Sequence, residues 1–244
     1  MNSHKPSGKP TARHHASALA DLPEPLAILF DLDGTLVDTV ELRIEAWSEA
    51  LGRAGITVDR RLLAGYIGSD GRWLAKELAR QAGRDLDYAA ADELDRVSGA
   101  IFDELNASPV PLPGATELLT ALEASRLAFA IATSSQPGQV AASVNALRLP
   151  APPNITDGSQ VARAKPEPDL LLASAAQLAV PPERCWYVGD ATWDMMASAR
   201  AKMIAIGVTT GAADADGLIA AGADVALAGL IELLAELRRR GVVS

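Results

Sequence analysis

Short apolar runs alternate with longer amphipathic ones along most of this chain. PLAILFD (25–31), LAFAIAT (127–133), CWYVGD (185–190) and MIAIGVT (203–209) read as buried strands, and DVAL (224–227) as a weaker fifth. Between them GATELLTALEAS (114–125), PGQVAASVNAL (137–147), PDLLLASAAQLA (168–179) and TWDMMASARA (192–201) read as helices, and LIELLAELRRR closes the chain with arginines at its carboxyl end. Strands flanked by helices bury both faces of a parallel sheet, so the expected fold class is α/β, a Rossmann-like doubly wound parallel sheet. From about Thr39 to Ser108 the rhythm breaks: amphipathic segments such as ELRIEAWSEALGRAG and GRWLAKELARQAG follow one another with no convincing strand between. An inserted α-helical cap over 39–108 is therefore expected, with a core made of 23–38 and 109–244. SPVPLPG (108–114) serves as the hinge stretch on its far side.

Several kinds of chemistry are excluded by what the chain lacks. The three histidines, His4, His14 and His15, all fall in the polar first 22 residues, which have no apolar periodicity and are expected to be disordered. A Ser-His-Asp triad and the usual zinc ligands are thus absent from the folded part. The lone Cys185 has no partner for a disulfide, lies in an apolar strand and reads as a small core residue, consistent with a reducing, cytoplasmic setting. A net charge of -9 argues against nucleic acid. The absence of any apolar run of about 18 residues argues against a membrane span, and no secretory leader is expected.

The strand ends carry the chemistry. FDLDGTLVDT ends the first strand in Asp31 and Asp33, the second ends in Thr133, Ser134 and Ser135, and the third ends in Gly189 and Asp190 with Asp194 one helical turn on. AKPEPD places Lys165 in a loop just before a helix. Parallel sheets bind ligands beyond the carboxyl ends of their strands. Converging carboxylates repel one another unless a cation joins them, and an all-oxygen set suits Mg²⁺. Gly34 permits a sharp turn after Asp33, Thr133 offers a hydroxyl and neighbouring N–H groups, and Lys165 offers a compact positive charge, so a phosphoryl group could be held as well.

DLDGTLVDT, the strand-terminal Thr133, the lysine of AKPEPD and GDATWD together resemble the four ordered motifs of the haloacid dehalogenase superfamily, in its phosphatase and phosphomutase branch with a small helical cap. The resemblance spans about residues 25 to 240. It implies that Asp31 is the nucleophile and that Asp33 is the acid for the leaving alcohol and then the base for water. It implies too that Thr133 and Lys165 grip the phosphoryl oxygens, with Gly34 at the turn and the Ser134 backbone N–H assisting. Mg²⁺ would be held by Asp31, the backbone carbonyl of Asp33 and Asp190, with Asp194 orienting that shell or binding through water. Asp33 argues against carbon–halogen cleavage. Arg72 follows YIGSDG, where this branch places a substrate-reading loop, and reads either as a partner for a substrate carboxylate or sugar group or as an exposed helix arginine.

The expected function is Mg²⁺-dependent hydrolysis of a small phosphorylated metabolite, of the 2-phosphoglycolate or sugar-phosphate type, through an aspartyl-phosphate. The alternatives are a hexose-phosphate mutase of the beta-phosphoglucomutase type and a non-catalytic phosphometabolite-binding protein. Gln136 stands where mutase relatives often carry lysine, which favours hydrolysis, and none of the four key residues is missing, which disfavours a retired enzyme. Asp38 reads as the N-cap of the helix that follows it, Trp47 and Trp186 as core, and Trp193 as the pocket mouth. The oligomeric state is left open.

Overall fold

The computed structural model describes residues 19–244. Six strands, β1 (Ala27–Phe30), β2 (Ala128–Ala132), β3 (Asn154–Thr156), β4 (Cys185–Gly189), β5 (Ile204–Val208) and β6 (Val225–Leu227), form one sheet in the order β3-β2-β1-β4-β5-β6. All neighbours are parallel. Ten helices accompany them among the described residues: α1 (Val40–Arg53), α2 (Arg60–Ala64), α3 (Gly71–Gln81), α4 (Tyr88–Leu105), α5 (Ala115–Ser125), α6 (Pro137–Ala146), α7 (Asp169–Gln177), α8 (Thr192–Ala201), α9 (Ala215–Ala220) and α10 (Leu230–Arg239). The expected α/β class is what the structure has. The short β3, only Asn-Ile-Thr after two prolines, offers too few residues for a strand period to register in sequence.

Alternation along each strand divides the core between the two faces of the sheet. Ile28 and Phe30 of β1, in register with Trp186 and Val188 of β4, pack under α5 and α10 through Leu118, Leu122, Leu233 and Leu237. Ala27, Leu29 and Tyr187 face the other way, against Leu170 and Leu171 of α7 and Ala197 of α8. Because both faces are covered, every residue of β1 and β4 is buried and the runs read as continuously apolar.

Helices α1 to α4 lie between β1 and β2 and build a cluster of their own around Ile44, Trp47, Leu51, Leu74, Leu78 and Leu94. Two chain crossings join them to the sheet and bond to each other: Asp38 N–H donates to Val110 O and Leu112 N–H to Leu36 O, each at 2.9 Å. No helix among the described residues is long and apolar enough to cross a membrane.

Two local expectations change. Thr39, not Asp38, holds the N-cap position of α1, and its side chain makes no capping bond; Asp38 is exposed, while the Thr39 hydroxyl donates to Asp33 Oδ1 at 2.7 Å. The expected disorder does not extend to residues 19–22: Leu19 is fully buried in the main core, and Arg240 holds the carbonyls of Leu19 and Leu22. The rest of that stretch, with all three histidines, lies outside the described residues. Trp47 and Trp186 are buried as expected, the latter donating from Nε1 to Pro23 O at 3.0 Å.

Candidate active site

Strands β2, β1 and β4 are neighbours, so their carboxyl ends bring Thr133, Asp31 and Asp190 to one edge of the sheet, at the point where strand order reverses. Asp31 extends the ladder by donating its N–H to Val188 O at 2.9 Å, and Thr133 does so toward Thr156 O at 3.0 Å. The chain then turns at Gly34, whose φ of +79° favours glycine and where a Cβ would overlap the Asp190 carboxylate. Thr35, brought round by that turn, donates its hydroxyl to Asp190 Oδ1 at 2.7 Å.

Asp31, Asp190 and Asp194 gather one oxygen each within 4.8 Å of one another, all buried. Lys165, itself fully buried, reaches Asp31 Oδ1 at 2.5 Å and Asp194 Oδ1 at 2.8 Å. Asp194 also accepts from the Tyr187 hydroxyl at 3.1 Å and from Ala191 N–H at 2.9 Å, so it combines the site role with the helix-terminus role. Burial would lower the Lys165 ammonium, but Asp194 and then Asp31 outweigh it and hold its pKa above the ordinary value. Burial pushes Asp31 up to about 7 against the pull of Lys165, and it carries Asp190 well above the usual carboxylate range, helped by Asp194 and Asp31. Three carboxylates facing one ammonium would, when all ionised, leave an excess of two negative charges in a buried, all-oxygen donor set, which is what opposes their ionisation without a cation. A hard divalent cation fits such a set.

Asp33 is turned elsewhere. Its carboxylate accepts from Thr39 at 2.7 Å, from Arg43 Nη2 at 2.9 Å and from the Ser135 hydroxyl at 2.6 Å. Burial alone would raise its pKa, yet Arg43, then Ser135 and Thr39, bring it below the ordinary value. Arg43 also donates to Gln139 Oε1 at 2.9 Å and lies over the Phe102 ring at 3.4 Å from its centroid. Sequence reasoning missed Arg43 and Thr39 and gave Ser135 no role beyond its place at the end of the second strand. A signal existed: Thr39, Arg43 and Trp47 recur every four residues on the face of α1 that buries Val40, Ile44 and Leu51, where a lone arginine has no apolar role.

A single pocket is lined by Asp31, Asp33 and Thr133, by Ser134 and Arg72, and by Arg43. Gly34, Lys165, Asp190 and Asp194 are not part of that lining; Lys165, Asp190 and Asp194 are joined to it through Asp31, and Gly34 lies against the Asp190 carboxylate. The Thr133 hydroxyl accepts Ser135 N–H at 3.1 Å, while Ser134 Oγ donates to Gly68 O at 3.3 Å. Arg72 is partly exposed and donates to the Tyr88 hydroxyl at 2.6 Å. The helical insertion meets the sheet here in three further places. Asp70 N–H donates to Lys165 O at 3.2 Å, Trp193 Nε1 donates to Gly65 O at 2.9 Å, and the Trp193 ring meets Trp73 edge to face and Tyr66 at a tilt, at centroid distances of 5.1 and 5.9 Å.

A family model described as haloacid dehalogenase-like hydrolase matches residues 28–208. Validoxylamine A 7'-phosphate phosphatase of Streptomyces hygroscopicus subsp. limoneus is 30% identical over 207 residues, covering 84% of this chain and 94% of the relative. Beta-phosphoglucomutase of Bacillus subtilis is 28% identical over 194 residues, 76% of this chain and 84% of the relative. A crystal structure of a hydrolase from Pseudomonas syringae superposes with a TM-score of 0.84 at 34% identity, over 87% of this chain and 98% of that one.

Proposed function

The chain belongs to the haloacid dehalogenase-like hydrolases and is a phosphoric monoester hydrolase of that family, and on that premise we propose that it is a Mg²⁺-dependent phosphatase working on a small phosphorylated metabolite through an aspartyl-phosphate on Asp31. The observation that carries this reading is the buried set of Asp31, Asp190 and Asp194 held against Lys165, with Asp33 one residue removed and aimed into the same pocket. Bound there, Mg²⁺ would offset the excess carboxylate charge and that of the phosphoryl oxygens. Asp31, Asp190 and the Asp33 carbonyl would hold it, with Asp194 behind them.

Lys165 fixes the Asp31 carboxylate, so one oxygen is presented to the pocket while the other stays paired. That oxygen forms a bond to phosphorus as the ester P–O bond breaks, and Thr133 and the Ser134 N–H receive the displaced charge. Asp33 gives its proton to the leaving alkoxide, then takes one from the water that attacks phosphorus in the Asp31 acyl phosphate; the P–O bond to Asp31 breaks, phosphate leaves and both carboxyls are restored. To do so it exchanges Arg43 and Ser135 for the ester oxygen; away from the guanidinium its affinity for a proton rises. The insertion over 39–108 acts as a cap that shuts out water, with the paired crossings near Val37 to Glu41 and Pro109 to Gly114 as its hinges. A cytoplasmic setting suits this reading.

The Bacillus relative makes a mutase the nearest alternative. Gln136 on the pocket wall supplies no extra cation for a bisphosphorylated intermediate, which favours hydrolysis. The test is release of inorganic phosphate from a panel of small esters, with and without Mg²⁺, for native protein and Asp31→Asn. Release that needs Mg²⁺ and vanishes in the variant supports the reading; isomerised sugar phosphate without free phosphate reverses it.

A further inference from the structure

The pocket wall opposite the nucleophile is built by the insertion, and its charges are unevenly satisfied. Arg43 is spent on Asp33, Ser135 and Gln139, and Arg72 on the Tyr88 hydroxyl with Asp70 and Asp92 at 3.7 and 3.8 Å. Asp95, from the middle of α4, lines the same pocket and is the exception: no hydrogen bond or ion pair reaches its carboxylate among the described residues. It lies so close to Gly71, at the start of α3, that a Cβ there would overlap its oxygen. Asp70, the N-cap of α3, lines the pocket beside it.

A carboxylate that only served the amino end of α3 would be settled in its charged form. Burial, and then Asp70, instead push Asp95 up to about 6 against the pull of Arg72 and Arg43, whose hydrogen bonds go to other partners. The surroundings therefore give this group less than a carboxylate requires, and the deficit faces the space a leaving alcohol would fill. A carboxylate or second phosphate on that alcohol would meet Asp95 and Asp70 as like charges. A hydroxyl would supply the missing donor.

We infer that Asp95 is a specificity-determining residue that accepts a hydrogen bond from a hydroxyl of the leaving alcohol, so that the substrate is the phosphate ester of a polyol and not of an alcohol bearing a carboxylate. The inference rests on the phosphatase reading and narrows it, setting aside 2-phosphoglycolate.

The test compares kcat/KM for sorbitol 6-phosphate, 2-phosphoglycolate and p-nitrophenyl phosphate, with Mg²⁺, in native protein, Asp95→Ala and Asp95→Asn. A site built around a donor rejects analogues that lack it, so native protein should favour the hexitol ester over 2-phosphoglycolate by about tenfold or more. Asp95→Ala should lose about tenfold on the hexitol ester and less than about threefold on p-nitrophenyl phosphate, which has no hydroxyl to place. Asp95→Asn, still an acceptor but uncharged, should recover part of the hexitol rate and accept 2-phosphoglycolate better than native protein does. A native preference for 2-phosphoglycolate, or equal losses on all three esters as a purely structural role would give, overturns the inference and leaves the phosphatase reading standing. Failure of native protein to hydrolyse any ester, p-nitrophenyl phosphate included, overturns both.

Discussion

The Arg43 guanidinium, carried by the first inserted helix, bonds the Asp33 carboxylate of the sheet edge at 2.9 Å. The pair has side chains only 12% and 10% exposed, so solvent does little to replace it once broken. Arg43→Ala should lower kcat/KM by about ten- to a hundredfold, the range for a hydrogen bond to a charged partner. Arg43→Lys should restore only part, because a point charge cannot serve Asp33, Ser135 and Gln139 together. Steady-state kinetics on any turned-over ester checks this.

Lys165 is the cation shared by two buried carboxylates, Asp31 and Asp194. Lys165→Met keeps most of the side-chain volume and removes the charge. In metal-free protein it should cost about 3 kcal/mol or more of unfolding free energy in urea, as breaking buried pairs does, alongside loss of phosphatase activity.

Asp190 has the opposite balance, since burial and two neighbouring carboxylates oppose its charge. Asp190→Asn should melt higher than native protein in EDTA, by about 2–4 °C for each kcal/mol of relieved repulsion. Native protein should gain Tm on adding Mg²⁺, and the variant should not. Paired thermal melts read both effects.

Asp95 gives a pH-dependent stability. Its folded pKa, about 6, exceeds the ordinary 3.8, so between these values the folded protein binds a proton that the unfolded chain has released. Stability therefore falls as pH rises through that window, and the deficit stays complete above it. Asp95→Asn should be more stable than native protein near neutral pH by on the order of 2 kcal/mol, with the difference closing below about pH 4. Urea unfolding at a series of pH values tests the sign as well as the size.

What was legible in the sequence follows from the physics of each signal. β1 and β4 are buried on both faces, so their residues form unbroken apolar runs, and the carboxylates ending them stand out. α8 begins and ends where its periodicity predicts, at Thr192 and Ala201. β3 escaped because three residues cannot display a period. Arg43 and Asp95 escaped for another reason: each lies on an amphipathic helix rich in charge, and only the approach of that helix to the sheet or to α3 separates a pocket residue from a solvated one. Asp38 was mistaken for the cap because both it and Thr39 have the chemistry; Thr39 takes the position, yet its hydroxyl is turned to Asp33 and leaves the helix end without a side-chain cap.

The ring cluster of Trp193, Trp73 and Tyr66 gives the protein a built-in optical gauge. Trp193 belongs to the sheet side and the other two rings to the insertion, so any parting of the two would separate the indoles and wet Trp193, whose N–H now rests on Gly65. Trp186, sealed within the core beside the sheet, supplies a constant background emission, while Trp47 lines the pocket and reports on its occupancy. Time-resolved changes in intrinsic fluorescence on mixing with an ester would then report the opening and closing of unlabelled protein during turnover.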